Sequence, residues 1–128
     1  MLGTLMKIAV GLIALPFSAY AGFIDDYGHW SQLSNEQKRS YAKGMWDYAS
    51  QAAANEEDSL MLIGLNKCSI GIHLNDQMLV DAIDDYYKNN KNKLDQGITY
   101  VFVNSINRDV CRKYIDNERV KAGLTPLP

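Results

Sequence analysis

Long hydrophobic runs and signature motifs are scarce in this sequence. The longest run, residues 8–17, has ten residues, whereas a helix needs about 20 to cross a bilayer, so no membrane anchor is expected. The cysteines form no Cys-x-x-Cys, no serine lies in a Gly-x-Ser-x-Gly, and there is no glycine-rich phosphate loop. These absences make an enzyme the weaker class of function, and we expect no cofactor.

An excess of positive charge is also absent. The chain carries 13 Lys and Arg against 15 Asp and Glu, for a formal net charge of −2. The basic residues form no cluster. Nucleic acid and anionic lipid are therefore not expected as partners.

The N-terminal residues have the order of a secretory signal. Lys7 precedes the apolar run, and Ala19-Tyr20-Ala21 then supplies the small-x-small pattern of a cleavage site. We predict a signal peptide over residues 1–21 and a periplasmic protein of residues 22–128, folded as a single helical domain. Met6 offers an alternative start for the same signal, and a buried first helix is the other interpretation of the run.

Only two cysteines are present, Cys68 and Cys111. In an exported protein an isolated pair is typically a structural disulfide, and two thiols are too few for a metal site. The loop closed would span 111 − 68 = 43 sequence steps, which the chain-entropy relation converts to about 4 kcal/mol of stability. We predict that this bond clamps the fold.

Residues 75–90 give the clearest element. Apolar residues recur in pairs at helical spacing, and Asn75 is a suitable N-cap. A second helix is predicted over residues 35–54, starting at a capping box of Ser34 and Gln37. Gly44 in its middle suggests close approach of another backbone, and Trp46 lies off its apolar stripe of Tyr41, Met45, Tyr48, Ala49 and Ala52.

The remaining segments are less regular. Residues 55–58 are interpreted as a solvated turn, and residues 59–65 as a last helical turn or a short extended piece. Residues 94–110 contain many strand formers, yet a four-residue repeat favours a helix. The proline-containing C-terminus should fray. The predicted fold class is all-α, a small disulfide-clamped bundle of about four helices.

Candidate catalytic groups are few. His29 and His73 are the only histidines, and no ligand spacing joins them, so surface or core positions are the simpler interpretation. Asp25, Asp26 and Glu36 contain the carboxylates that a hydrolase needs, but nothing places two of them across one cleft. We assign no catalytic, cofactor-binding or metal-binding residue.

Candidate binding residues fall in three places. Trp46 is a contact candidate, although an aromatic residue serves equally as core in a small domain. Carboxylates on one flank of the 75–90 helix could receive a basic surface, with a solvated face as the simpler interpretation. A loop over residues 68–74 could project beside the disulfide, unless its isoleucines face the core. The predicted partner-binding residues are Ser69, Ile70, Ile72, His73, Trp46, Asp81, Asp84 and Asp85.

The order of features from residue 30 to residue 111 resembles a known family. These features are Tyr41-x-x-Gly44 with Asp47 three residues on, Cys68, Asn75-Asp76-Gln77 opening a helix that ends Tyr86-Tyr87, and Cys111. They resemble the Rap/Tai group of periplasmic immunity proteins, which neutralise cell-wall amidase effectors of type VI secretion. The chain lacks the additional cysteine pair common in that group and the proline usually found near the position of Cys68.

The resemblance implies an exported binding protein that occludes a peptidoglycan-degrading effector and has no chemistry of its own. A homodimer is compatible with this interpretation. The chain is also similar to the Hde acid-stress chaperones, which share a signal peptide, one disulfide and a compact helical bundle. An acid-stress chaperone is therefore the first alternative, and a small hydrolase using Asp25, Asp26 or His29 is the second.

Overall fold

The described part of the chain is mostly helical. The computed structural model describes residues 24–51 and 53–128, and contains no strand within them. All-α is therefore confirmed, although the expected number of about four helices is too low. The helices are α1 (Tyr27–Gln32), α2 (Asn35–Ala49), α3 (Glu56–Gly71), α4 (Asp76–Asn89), α5 (Ile98–Val103) and α6 (Arg112–Lys121), with a 3₁₀ turn at Lys91–Lys93 and a π-helix at Asn104–Val110.

Helix α4 is the central element and agrees with the prediction to within a residue at each end. The Asn75 side chain accepts a hydrogen bond from the Met78 amide, as expected of an N-cap. Its apolar face is buried against α2 and α5. Tyr87 is fully buried there and donates to the Gln96 carbonyl at 2.7 Å; burial, with Asp26 nearby, raises its pKa to about 12.

Helix α2 begins at the predicted capping box, in which Ser34 and Gln37 each accept from the other's amide. It ends at Ala49, earlier than expected. Tyr48 is 79% exposed, so it does not belong to the buried stripe. Ala52, the last residue of that stripe, lies outside the described residues.

Helix α3 was missed by sequence analysis. Asn55 is its N-cap and accepts from the Asp58 amide. The acidic residues that follow form the first helical turn, where negative charge is favoured by the helix dipole, so the predicted turn over residues 55–58 is wrong. The apolar segment after them continues as helix through Cys68.

Helices α3 and α6 pack closely against each other. Gly64 makes the approach possible, because an ideal Cβ there would lie 2.7 Å from the Ile115 Cα. Lys67 Nζ reaches Glu118 Oε1 at 2.6 Å, and Arg119 pairs with Glu57. The Cys68–Cys111 disulfide closes the same interface, as predicted, with both residues fully buried.

Residues 98–110 are helical, which confirms the predicted helix and not the alternative strand. The backbone widens into a π-helix from Asn104 onward. Ile98, Phe102 and Ile106 of the four-residue repeat are buried, whereas Val103 is 42% exposed.

The C-terminal residues do not fray. Leu127 donates its amide to Asp116 at 2.8 Å and accepts from Arg112 at 2.6 Å. Arg119 donates to the Thr125 carbonyl at 2.7 Å. The tail is therefore a strap held along α6.

The predicted signal peptide lies outside the described residues. Among the helices of residues 24–51 and 53–128, none has the length and apolar character needed to span a membrane.

Candidate partner-binding surface

An apolar groove separates α2 from α5. Its volume is about 510 Å³, and its walls are almost entirely apolar. Tyr48 stands at its edge as one of the most exposed large apolar side chains of the described chain, and Val103 is partly exposed opposite. The principal residues of this α2–α5 groove are Tyr41, Gly44, Met45, Tyr48, Phe102 and Val103.

Gly44 keeps the groove open. An ideal Cβ at this position would meet no atom within 4 Å, so the predicted close approach of another backbone is wrong. The glycine instead leaves empty space in the wall that α2 contributes. A larger side chain would extend into that space without disturbing the core.

A second depression lies on the neighbouring face of α2, about 100° around the helix. It is bounded by α2, the last turn of α3 and the start of α4, and its volume is about 270 Å³. Trp46 is partly buried in it and packs against the core. This Trp46 pocket is lined by Lys43, Trp46, Asp47, Ser69, Asn75 and Asp76, with Leu74 and Leu79 as apolar lining.

Charges of both signs surround the Trp46 pocket. Asp76 lies 3.1 Å from Arg39 Nη2, and this hydrogen bond lowers the pKa of Asp76, with a smaller contribution from Lys43. Asp76 is therefore ionised and neutralised at pH 7. Lys43 and Asp47 make no ion pair with any described residue.

The predicted projecting loop is wrong for most of its length. Ser69 and Ile70 lie on α3, which ends only at Gly71. Ile72 packs against the core, whereas Ile70 is 76% exposed. His73 turns the chain toward α4 with a left-handed φ of 52°. Of these four residues, only Ser69 is brought together with Trp46.

The predicted acidic flank is largely used within the fold. Asp84 accepts from the Trp30 indole at 2.7 Å and from Lys38 at 3.3 Å. Asp81 is exposed and accepts from Gln77, and Asp85 is exposed beside a separate cleft that also contains Asp109. The flank is therefore not one uncompensated carboxylate surface.

Of the candidate catalytic residues, Asp26 and His29 lie together at the start of α1. Asp26 caps α1 by accepting from the His29 amide, and its carboxylate lies 3.1 Å from the His29 ring. The cleft beside His29 is otherwise walled by Ile24, Gln32, Leu33 and Gln37, without a carboxylate. No three potential metal ligands meet within the described ranges.

The groove itself was not found from sequence. Tyr48 fits the apolar stripe of α2 and was expected to be buried. The exposure of Val103 could have been predicted, because Val103 lies outside the repeat of Ile98, Phe102 and Ile106 that marks the buried face of α5.

Comparison with known proteins adds no relative. No protein-family model matches the sequence, and neither a curated protein nor a solved structure matches it. The family resemblance therefore stays a prediction.

Proposed function

We propose that the protein is an exported periplasmic immunity protein that binds a cell-wall-degrading effector and inhibits it by occlusion. The observation that carries this proposal is the α2–α5 groove. Exposed apolar side chains on one concave surface are typical of protein-binding sites. Tyr48 adds a large rigid side chain at its edge, and such residues contribute strongly to interfaces.

The shape of the groove favours a helical segment of the partner. Its α2 wall runs from Ser40 to Ala49, which is about 14 Å along the helix axis. That length accommodates about two and a half turns of a third helix, laid between α2 and α5 with its apolar face inward. Met45 can adapt to the shape of such a face, since its side chain is flexible.

The decisive experiment measures binding to the product of the neighbouring gene, because an immunity protein is expected to be encoded beside its effector. The leucine of Gly44→Leu should fill the groove. Calorimetry on the purified pair should then show that binding is weakened by at least about tenfold, or about 1.4 kcal/mol. Tyr48→Ala should weaken it through lost contact area. Ile63→Ala is the matched control, because Ile63 is an exposed apolar residue of α3 outside the groove.

The groove would be excluded as the contact surface if Gly44→Leu and Ile63→Ala bound equally well. If the neighbouring gene product were not bound at all, the immunity function itself would be wrong.

An acid-stress chaperone is the second candidate. It is favoured by ion pairs that join separate helices, such as Arg39–Asp76 and Lys67–Glu118. Protonation of these carboxylates would weaken α2–α4 and α3–α6 packing and expose apolar surface. Suppression of client-protein aggregation in acid, as the pH falls toward the lowered pKa values of these carboxylates, would support this candidate; an unchanged fold and no suppression would reject it.

A further inference from the structure

The Trp46 pocket contains hydrogen-bond donors that the fold does not use. Lys43 Nζ, the Trp46 indole N–H and the Ser69 hydroxyl have no hydrogen-bond partner in the described part of the chain. Asn75 uses its carbonyl oxygen to accept from Met78 at 3.0 Å, which leaves its NH₂ as a fourth donor. The residues that carry these groups come from three helical segments and line a single depression.

The charged acceptors of the pocket are either already paired or exposed. Asp76 is already bound to Arg39 at 3.1 Å. Asp47 is the one lining carboxylate without an ion pair among the described residues, and it is exposed, so water screens its charge. The pocket is therefore better suited to an acceptor than to another donor.

The apolar lining limits the kind of group that can be attached to the acceptor of a bound ligand. Leu79 is almost fully buried, Leu74 is partly buried, and both lie beside Trp46. A volume of about 270 Å³ is slightly below the range of about 300 to 1,000 Å³ that is usual for drug-sized ligands. The space suits a small apolar group next to a polar head.

We infer that the Trp46 pocket binds a carboxylate that carries a small apolar group, as at the C-terminus of a peptide. Lys43 supplies the opposite charge, and Ser69, Asn75 and the Trp46 indole donate to the carboxylate oxygens. Charge-assisted hydrogen bonds of this kind are stronger than neutral ones. The inference does not depend on the proposed immunity function, because it concerns another face of α2 and a ligand that needs no effector.

The test is an NMR titration with acetyl-Ala-Ala as the free acid. The chain has two tryptophans, so two indole N–H signals are expected. The Trp46 signal should move. The Trp30 signal should stay, because that residue is fully buried and its N–H is bound to Asp84 at 2.7 Å, which makes it an internal reference. We expect a Kd on the order of 1 mM, since few contacts are available.

Three further titrations separate the possible origins of a shift. Acetyl-Ala-Ala amide has the same apolar groups without the charge and should not move Trp46. Lys43→Ala should weaken binding of the acid at least fivefold, whereas Lys113→Ala, a change at an exposed lysine of α6, should not. Asp47→Asn should strengthen binding by removing a like charge.

The inference is overturned if Trp46 does not move at tens of millimolar peptide, if the amide binds as well as the acid, if Lys43→Ala has no effect, or if Asp47→Asn weakens binding. A peptide with an internal glutamate and an amidated end identifies the source. Equal binding extends the site to acidic side chains, and no binding restricts it to C-termini. Binding of the neighbouring gene product decides the immunity proposal separately.

Discussion

The indole nitrogen of Trp30 donates to Asp84 Oδ1 at 2.7 Å, joining residues 54 positions apart. Lys38 binds the same carboxylate oxygen at 3.3 Å and lies 5.3 Å from the centre of the Trp30 ring. One carboxylate on α4 thus holds a buried aromatic residue of α1 and a cation of α2. The short helix α1 is fixed to the bundle by this arrangement.

Replacing Asp84 should therefore destabilise the fold. Asp84→Ala leaves the buried Trp30 N–H without an acceptor, and such a loss costs about 1 to 3 kcal/mol. Urea unfolding followed by tryptophan fluorescence measures the change. Asp81→Ala is the matched control, because this exposed carboxylate of the same helix accepts from Gln77 and from no other described residue. Equal losses in the two variants would contradict the structural role of Asp84.

The disulfide should account for a large share of the stability. Cys68 and Cys111 are 43 residues apart, and a loop of that length implies about 4 kcal/mol from reduced entropy of the unfolded chain. We expect the double variant Cys68→Ala/Cys111→Ala to melt at a markedly lower temperature by calorimetry. A melt insensitive to reductant, with two titratable thiols in the native protein, would rule this out.

Two glycines should respond in opposite directions to the same change. Gly64→Ala places a methyl group 2.7 Å from the Ile115 Cα, so α6 must move, at a cost of about 1 to 3 kcal/mol. Gly44→Ala fills open space in a helix and should stabilise the protein by up to about 1 kcal/mol. Chemical denaturation of both variants compares them directly; a stable Gly64→Ala would mean that α6 shifts freely.

Stability should decrease in acid. Hydrogen bonds from Lys67 and then Lys121 lower the pKa of Glu118, and Arg39 lowers that of Asp76. A lowered pKa in the folded state means that the stabilisation is complete at neutral pH and is lost as the pH falls through the ordinary carboxyl range toward the lowered value, from about pH 5 downward.

Melting temperatures measured between about pH 7 and pH 2 test this linkage. Glu118→Gln should flatten the profile, because the variant no longer binds that proton. Asp95→Asn, which changes an exposed carboxylate of the α4–α5 connection, should leave the profile as it is in the unmodified protein. Identical profiles for all three proteins would show that the Glu118 ion pairs contribute nothing.

The sequence predicted well those elements whose ends and buried faces depend on residues close together in the chain. Asn75 caps α4 and Ser34 caps α2 through atoms within three residues, and the period of α4 marks its buried face. Helix α3 was missed for the opposite reason. Its exposed face carries Ile63 and Ile70, so apolar residues surround the helix and no amphipathic period exists.

The roles of the glycines and of the surface sites could not be predicted, because they depend on residues that are distant in the sequence. Gly44 was expected to pack against another backbone and faces open space, whereas Gly64 is the glycine that packs against α6. The Trp46 pocket combines Trp46, Ser69 and Asn75, whose proximity depends on how three helices meet. No spacing pattern in the sequence predicts how these helices pack together.

The pairing of α3 with α6 also determines when folding can finish. The Gly64 and Cys68 face of α3 is covered by a helix that begins only at Arg112. Whether the chain emerges from a ribosome or from a translocation pore, the 40 residues between α3 and α6 (111 − 71 = 40) must follow α3 before this face is covered. Until then the surface around Cys68 stays open to solvent, to oxidants and to chaperones, and the N-terminal half cannot complete its core while it is being made.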